Sequence, residues 1–291
     1  MDRLERAAAL DAVADRVRDA VRAVPLGRGR DLLHGRWLGH PVHPLMVQVP
    51  IGAWFSAALL DGLPGRSRSA DLLVGVGVAA ALPAAAAGWA DWAELQRRQL
   101  RVGLVHAAAN ATGVTLYAAS LAARTRGRTT LGKALGFAGL TAVSAGGAIG
   151  GHLAYRQASG ANHAAAVPDL VGTAWHRLGD LADLPVGKPT RRHVDDVPVL
   201  VVRDAEDRVR VIADTCSHQG GPLSEGGLED GCVRCPWHGS LFRLDDGFNV
   251  RGPATAPQPA FDVRTTDSGG VEVRLGDPGP VAPATPEGSE G

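Results

Sequence analysis

The chain has no excess of charge of either sign, since its 291 residues contain 30 lysines and arginines against 30 aspartates and glutamates. Proteins that bind nucleic acid or acidic lipid through charge show a basic excess, so the total charge gives no indication of nucleic acid as a partner. Cysteine is also scarce, with three residues in the whole chain. An odd cysteine count fits a reducing compartment better than an oxidising one.

Charged residues are sparse in four long apolar stretches of the N-terminal half. These stretches are Leu45–Leu60, Leu72–Ala90, Val102–Ala123 and Ala134–Leu153. The last three have about 20 residues, the number that crosses a bilayer as a helix, whereas the first is shorter and contains Pro50. A soluble bundle would show polar residues at every third or fourth position, and these stretches do not. We therefore predict an all-α bundle of four transmembrane helices over residues 35–157, in a multi-pass protein of the cell membrane.

Residues 1–25 lack the apolar core of a signal peptide and carry acidic residues at their start. Apolar residues recur three to four positions apart among arginines and aspartates, after a gap filled by alanines. They are Leu4, Val13, Val17, Val21 and Val24. This spacing predicts an amphipathic helix that ends at Pro25 and lies either on the membrane surface or against the bundle.

Five ionisable residues of the predicted bundle come to one membrane level, on the side of the termini, if the four spans run up and down. They are His40, His43, Asp91, His106 and His152. Ionisable groups inside a bundle are costly and mark function by default, and imidazoles on facing helices can hold haem or a metal ion. Three interpretations stay open: interfacial anchors for the helices, a site for haem b or a metal ion, and a quinone pocket that uses a histidine and Asp91.

Residues 168–276 have a different pattern, in which short β-branched runs alternate with turn residues. The runs Pro198–Arg203 and Arg208–Ala213 predict a hairpin, and later runs add further strands. We predict an all-β antiparallel sandwich for this part of the chain. Residues 158–167 are predicted to be a linker, and the Pro-, Gly- and Glu-rich residues 277–291 a disordered tail.

Two short runs in the β-rich part each contain one thiol and one imidazole. They are Cys216-Ser217-His218 and Cys235-Pro236-Trp237-His238, separated by 16 residues. Two thiolates and two imidazoles are the ligands of a Rieske [2Fe–2S] centre. A zinc site is the alternative, since Cys232 and Cys235 form a Cys-x-x-Cys pair and zinc accepts mixed ligands.

Glycine turns follow both runs and favour the cluster, because they let backbone N–H groups point at the sulfurs. With these turns, Cys216-Ser-His218-Gln-Gly220-Gly221-Pro-Leu and Cys235-Pro-Trp-His238-Gly-Ser resemble the two cluster-binding loops of Rieske-type ferredoxins. The resemblance covers roughly residues 168–276. It implies that the two cysteines bind the buried iron and the two histidines the outer one.

The resemblance also identifies departures from the high-potential members of that family. Those members carry an extra cysteine in each loop, and the pair forms a disulfide, whereas this chain has Gly221 and Trp237 at these positions. Phe242 stands where they have a tyrosine that hydrogen-bonds a cysteine sulfur, although Ser240 is kept. Fewer donors to the sulfurs imply a potential in the lower part of the Rieske range of roughly −150 to +300 mV.

The N-terminal half resembles a prokaryotic membrane-domain family catalogued as domain of unknown function 2231. The residues that carry this resemblance are Leu38-Gly-His40-Pro-Val-His43-Pro-Leu, Gly88-Trp-Ala-Asp91-Trp92, His106 and Gly151-His152-Leu-Ala-Tyr155. The resemblance covers roughly residues 35–160 and implies a four-helix membrane domain without an assigned activity.

These features together predict a membrane-anchored electron-transfer protein. It would pass single electrons between a reductase or a membrane redox site and an acceptor such as an oxygenase. Rieske oxygenases hold a mononuclear iron with two histidines and a carboxylate beyond the cluster, and no histidine follows His238, so we do not expect an oxygenase site here. The alternative is a redox sensor or assembly module. Export of a folded cluster domain would need a twin-arginine signal, which is absent from the N-terminal residues, so we expect this domain in the cytoplasm.

Overall fold

The computed structural model describes residues 2–64 and 67–276, which divide into two compact units, Met1–Ala161 and Asn162–Gly291. The first unit is helical and the second is mostly β-strand. The division falls inside the predicted linker, residues 158–167. The predicted disordered tail, residues 277–291, lies outside the described residues.

The first unit consists of helices that differ widely in length. They are α1 (Asp2–Glu5), α2 (Asp11–Ala23), α3 (Gly29–His34), α4 (His43–Met46), α5 (Gln48–Asp61), α6 (Ser67–Trp92), α7 (Arg97–Thr125) and α8 (Thr129–Gly151), which continues into a π-helical turn at His152–Arg156. Three of the described segments are long and apolar enough to cross a membrane: His43–Asp61, Arg68–Trp92 and Thr129–Arg156. Helix α7 contains the predicted third span but is not among them, so length and composition support three spans rather than four.

The N-terminal amphipathic segment lies against the long helices. A short 3₁₀ turn at Ala8–Leu10 separates α1 from α2. Ala14 on α2 is fully buried in an apolar cluster with Trp92 and Leu100. On its polar side, Asp11 forms an ion pair with Arg101 on α7 at 2.6 Å. Of the two predicted positions for this helix, the structure therefore shows the one against the bundle.

The second unit begins with a short helix, α9 (Val167–Val171), and contains two antiparallel sheets. The strands are β1 (His176–Asp180), β2 (Thr190–Val194), β3 (Val197–Arg203), β4 (Val209–Ala213), β5 (Gly227–Glu229), β6 (Cys232–Arg234), β7 (Leu241–Arg243), β8 (Asn249–Arg251), β9 (Ala260–Thr265) and β10 (Gly270–Leu275). The larger sheet has the order β1-β10-β9-β4-β3-β2 and the smaller one β5-β6-β7-β8. The predicted all-β antiparallel fold is confirmed.

Two apolar cores lie on opposite faces of the central strands β3 and β4, because side chains alternate between the faces of a strand. Val199 and Val201 of β3 belong to one core. Leu200 of β3 belongs to the other, which also contains Phe242, Cys216 and Cys235. This second core supports the loops that follow β4 and β6.

Candidate metal centre

The loop that follows β4, called loop 1 (residues 214–222), folds back on itself around Cys216. The Cys216 N–H donates to the Gly221 carbonyl at 2.8 Å, and the Gly220 N–H donates to the Cys216 carbonyl at 2.8 Å. Gly220 has φ +75°, in the left-handed region that favours glycine. Loop 1 thus needs a glycine four residues after its cysteine.

The loop between β6 and β7, called loop 2 (residues 235–240), has the same backbone. The Cys235 N–H donates to the Ser240 carbonyl at 2.8 Å, and the Gly239 N–H donates to the Cys235 carbonyl at 3.1 Å. Gly239 has φ +72°, close to the value at the equivalent glycine of loop 1. The two loops are therefore matching turns that each start from a cysteine.

The two cysteines of these turns are buried beside each other. Cys216 is 1% exposed and Cys235 is 3% exposed. A hydrogen bond between the two thiol groups, together with burial, raises the pKa of Cys216, and the same bond lowers the pKa of Cys235 to about 6. Backbone amides in each loop also donate to the sulfur of that loop's cysteine, which favours the thiolate.

The two histidines of these turns lie side by side and are partly exposed. The ring centroids of His218 and His238 are 5.0 Å apart, and the ring planes are nearly perpendicular at 87°. The Nδ1 atoms of both rings are buried, although the rings themselves reach the surface. Because a metal–nitrogen bond is about 2 Å long, both rings are close enough to share one ion.

The four donor side chains therefore form two pairs, one of thiols and one of imidazoles. Among the described residues, no three His, Cys, Asp or Glu side chains are grouped as a single metal ion would need. A tetrahedral zinc site takes four ligands around one ion, whereas in a Rieske centre two cysteines serve one iron and two histidines the other. The residues present thus fit a [2Fe–2S] cluster by the chemistry and the pairing of their donors.

Four further predicted residues line this site. A methyl group placed on Gly221 would lie 3.0 Å from the Trp237 ring, so these two residues are in close contact where the high-potential proteins have a disulfide. Trp237 is 48% exposed beside His238, and Phe242 is fully buried. Ser240 is also buried, and its Oγ accepts the Ala254 N–H at 3.1 Å.

The sequence analysis missed Gln258, which braces loop 1 from the segment between β8 and β9. Its side chain is 2% exposed. The Oε1 atom accepts the Ser217 N–H at 3.1 Å, and Nε2 donates to the carbonyls of Ala213 and Thr215 at 3.1 and 2.9 Å. No local pattern identifies this residue, because 41 positions separate it from Ser217.

In the helical unit, the five predicted polar residues have different partners. His40 is exposed and bonds the carbonyl of Pro41. Asp91 pairs at 2.8 Å with the buried His34, a histidine that the sequence analysis missed. The His152 ring lies 2.9 Å from a carboxylate oxygen of Glu5 on α1.

Only two of the predicted residues of the helical unit have rings in contact. The ring centroids of His43 and His106 are 6.3 Å apart with an interplanar angle of 83°. Nδ1 of His43 bonds the Ala84 carbonyl, and Nδ1 of His106 bonds the Gly146 carbonyl, each at 2.8 Å.

The helical unit also contains an internal repeat that the sequence analysis missed. Positions of α4 and α5 correspond to positions of α7 that lie 63 residues later, and positions of α6 to positions of α8 that lie 62 residues later, although few of the paired residues are identical. Three pairs of counterparts contact each other, and they are His43 with His106, Trp54 with Tyr117, and Asp61 with Arg124. The second pair is stacked, with centroids 4.2 Å and planes 4° apart. Contact between equivalent residues is what a two-fold axis produces.

Glycines in α6 and α8 follow the same repeat. Gly77 and its counterpart Gly139 lie against Trp54 and Tyr117, respectively. The signal was present in the sequence as His-x₁₀-Trp/Tyr-x₆-Asp/Arg in the first helix of each half. The second helix of each half has Asp/Lys-x₅-Gly-x₁₀-Gly.

This antiparallel β unit presents two thiols and two imidazoles from matching turns. Such an arrangement places it in the class of iron–sulfur domains. A family model described as Rieske [2Fe-2S] domain matches residues 174–264. The anthranilate 1,2-dioxygenase ferredoxin subunit of Burkholderia cepacia is 37% identical over 102 residues, which are 35% of this chain and 93% of that protein. The chain therefore belongs to the Rieske [2Fe–2S] family. The domain implies a [2Fe–2S] cluster.

Other comparisons cover only parts of larger proteins or of this chain. The oxygenase component of 3-ketosteroid-9-alpha-monooxygenase from Rhodococcus rhodochrous is 33% identical over 75 residues, 26% of this chain but 19% of that protein. The ferredoxin of carbazole 1,9a-dioxygenase from Nocardioides aromaticivorans IC177 is 31% identical with a TM-score of 0.33, covering 35% of this chain and 98% of that one. A family model described as predicted membrane protein (DUF2231) matches residues 39–163, N-terminal to the Rieske domain.

Proposed function

We propose that this chain is a membrane-anchored Rieske protein that carries single electrons. In this proposal Cys216 and Cys235 bind one iron of the cluster, and His218 and His238 bind the other. The observation that carries it is the pairing of donors, two buried thiols in contact and two partly exposed imidazoles with centroids 5.0 Å apart. Once bound, a cluster of this kind accepts and releases electrons at a potential set by its surroundings.

The cysteines and the histidines have different roles in this proposal. The cysteines lie in the apolar core under the loops, where water is excluded from the sulfurs. The partly exposed His218 and His238, with the exposed Trp237 beside them, form the edge at which a partner would dock. Phe242 offers no hydroxyl group to a cysteine sulfur, which supports a potential in the lower part of the Rieske range.

The partners in this proposal are redox proteins. The relative covered almost completely is a dioxygenase ferredoxin subunit, which favours a reductase as electron donor and an oxygenase as acceptor. A donor site in the helical unit, haem b or a quinone, is the alternative and predicts that the purified protein contains that cofactor. The chain spans about a fifth of the oxygenase component that it matches, so we do not extend oxygenase activity to it.

The anchor in this proposal is a bundle of four membrane spans. Three segments have the length and composition of spans. The internal repeat supports α7 as another, because α7 is the counterpart of His43–Asp61, one of those three. Large apolar side chains point outward from the described helices, as lipid contact would require. They include Phe55, Leu59, Leu72, Leu82, Leu131 and Phe137.

Four spans would place both termini on one side, and we propose that this side is the cytoplasm. No disulfide joins any of the three cysteines, all of which lie among the described residues, and this suits a reducing compartment. Reporter fusions after Gly291 test this placement. Activity of a cytoplasmic reporter and silence of a periplasmic one are expected. The reverse result would contradict it.

The cluster assignment is tested by variants of the full-length protein with cysteine and histidine controls. Cys235→Ser and His238→Ala should abolish the visible absorption and the electron paramagnetic resonance signal of the reduced cluster. Cys232→Ser is the matched control, because Cys232 starts strand β6 and its thiol donates to the Asp230 carbonyl. His193→Ala is the histidine control, because His193 is exposed on β2. Loss of metal in Cys232→Ser, or a colourless protein that contains zinc, would refute the assignment.

Electron transfer itself is tested by rapid mixing of the full-length protein with an NADH-dependent ferredoxin reductase. Reduction of the cluster within the turnover time of an oxygenase system supports a carrier. A cluster that is reducible by dithionite but has no competent protein reductant or acceptor would instead support the sensor function.

A further inference from the structure

His43 and His106 are held in the same way in the two halves of the repeat. Each ring uses Nδ1 to bond a carbonyl oxygen of the next long helix, and both distances are 2.8 Å. The two carbonyls belong to Ala84 and Gly146, which are counterparts 62 positions apart. The same contact thus occurs twice, once on each side of the approximate two-fold axis.

A glycine makes room for each of these rings. A methyl group on Gly88 would lie 2.8 Å from Nδ1 of His43, and one on Gly150 would lie 2.9 Å from Cε1 of His106. These glycines are again counterparts in the repeat. Any larger residue would push the ring away from its carbonyl, so the placement of both imidazoles depends on them.

The carbonyl contacts also determine which ring nitrogen is available to a ligand. A carbonyl oxygen can only accept a hydrogen bond, so Nδ1 carries the hydrogen in both rings. Nε2 then carries the lone pair in the neutral imidazole, which is the form that binds metals. The Asn110 amide nitrogen lies 3.4 Å from Nε2 of His106, and a metal at this nitrogen would displace that contact. Histidines that bind metals commonly donate their other ring N–H to a backbone carbonyl, which fixes the tautomer and the ring orientation.

We propose that His43 and His106 are the protein ligands of a transition-metal centre between the two helical hairpins. Imidazole suits zinc, copper, iron and nickel, and the metal is either a bare ion or the iron of a haem. The described residues offer no third His, Cys, Asp or Glu to the same metal, so its remaining ligands would be solvent or the ring nitrogens of a haem. The centroid distance of 6.3 Å is compatible with one metal between the rings, since two metal–nitrogen bonds of about 2 Å hold ring centroids up to roughly 6.5 Å apart. This proposal goes beyond the electron-carrier function and does not depend on it.

The other three predicted residues of the helical unit have partners of their own, and His40 bonds the Pro41 carbonyl. Asp91 pairs with His34, and His152 with Glu5. Simple packing of two rings is the competing explanation for His43 and His106. Packing alone would not require polar rings, since apolar side chains would fill the same space without the cost of polar groups in a membrane.

The experiment uses the full-length protein with its cluster intact, incubated separately with Zn²⁺, Cu⁺, Ni²⁺ and haemin. His43→Gln and His106→Gln replace one imidazole each with a side chain that can still donate to the carbonyl. His40→Gln is the matched control, because His40 is exposed at the start of the same region. Metal content is measured relative to the two cluster irons, and X-ray absorption reports the ligand atoms. Circular dichroism and the cluster absorption confirm that each variant is folded.

We expect the wild-type protein and His40→Gln to hold one metal per chain beyond the cluster. The affinity should fall by about tenfold or more in His43→Gln and in His106→Gln. A Soret band that is lost in these variants identifies haem. An X-ray absorption spectrum that shows imidazole ligands, without a Soret band, identifies a bare ion. The proposal is overturned if the folded wild-type protein binds none of the four probes, or if both variants bind as tightly as the wild type.

Discussion

Gly221→Ala adds a single methyl group where loop 1 approaches loop 2 most closely. The methyl carbon would lie 3.0 Å from the Trp237 ring and 3.1 Å from Sγ of Cys235. The φ angle of Gly221 is not in the left-handed region, so the backbone accepts alanine without strain. The substitution therefore destabilises the protein through steric clashes alone. The clashes are with Trp237 and Cys235, which differ in mobility.

The size of this cost follows from those two contacts. Non-bonded carbon atoms prefer separations of about 3.5–4.0 Å, so each contact is too short by about 0.5 Å or more. Trp237 is 48% exposed and can tilt outward, whereas the buried Cys235 is fixed by its iron in the proposed cluster. Overpacking of this kind costs about 1–3 kcal/mol, and we expect a value near the middle of that range for Gly221→Ala.

Urea unfolding of the full-length protein measures this cost when cluster release is followed by visible absorption. Gly227→Ala is the matched control, because no atom lies within 4 Å of its added methyl group, and its midpoint should stay at the wild-type value. Trp237→Ala should recover part of the loss when combined with Gly221→Ala, since one of the two clashes disappears. An unchanged midpoint for Gly221→Ala would refute the contact between the loops on which this reasoning depends.

Three further predictions concern other parts of the molecule. Gln258→Leu should lower stability by about 1–3 kcal/mol for each buried backbone group, such as the Ser217 N–H, that loses its partner, as measured by the same urea curves. Breaking the buried pair by Asp61→Arg or by Arg124→Asp should cost about 3–5 kcal/mol, and the double exchange should restore part of this loss in thermal unfolding in detergent. Desolvation opposes the shift at Asp204, but hydrogen bonds from two arginines outweigh it and hold the pKa at about 2. Because this pKa is depressed on folding, its stabilisation is complete above about pH 4 and is lost as the pH falls towards 2, so Asp204→Asn should flatten the stability curve in that window.

The donor set of the metal centre could be predicted because each half is a contiguous run. A cysteine, a histidine and a glycine within five positions share one turn, and the two turns differ only in the position of the histidine. That Cys216 meets Cys235 does not follow from either run, since it depends on the packing of β4 against the smaller sheet. The structure brings the four donors together in pairs, while iron binding by these residues stays a prediction that the variants above test.

Residues that act across long sequence distances could not be predicted from local patterns. Gln258, which follows the last strand of the smaller sheet in the chain, braces Ser217. His34 has no special spacing, and its pairing with Asp91 appears only when α3 packs against α6. Five polar residues are predicted at one membrane level from their positions in the spans, but these positions do not reveal that three of them have other partners.

The composition of helix α7 is a poor guide to whether this helix spans the membrane. Its polar residues lower its apolar character, and yet several of them face the other hairpin: Tyr117 stacks on Trp54, and Arg124 is buried with Asp61. A polar side chain that meets its counterpart across an internal axis costs little in a membrane, because its partner and not lipid surrounds it. A span with many polar residues in contact with the other hairpin has a less apolar composition. It is then harder to recognise as a span. The correspondence between the two hairpins therefore supports the proposed span at α7, whereas the composition of α7 alone does not.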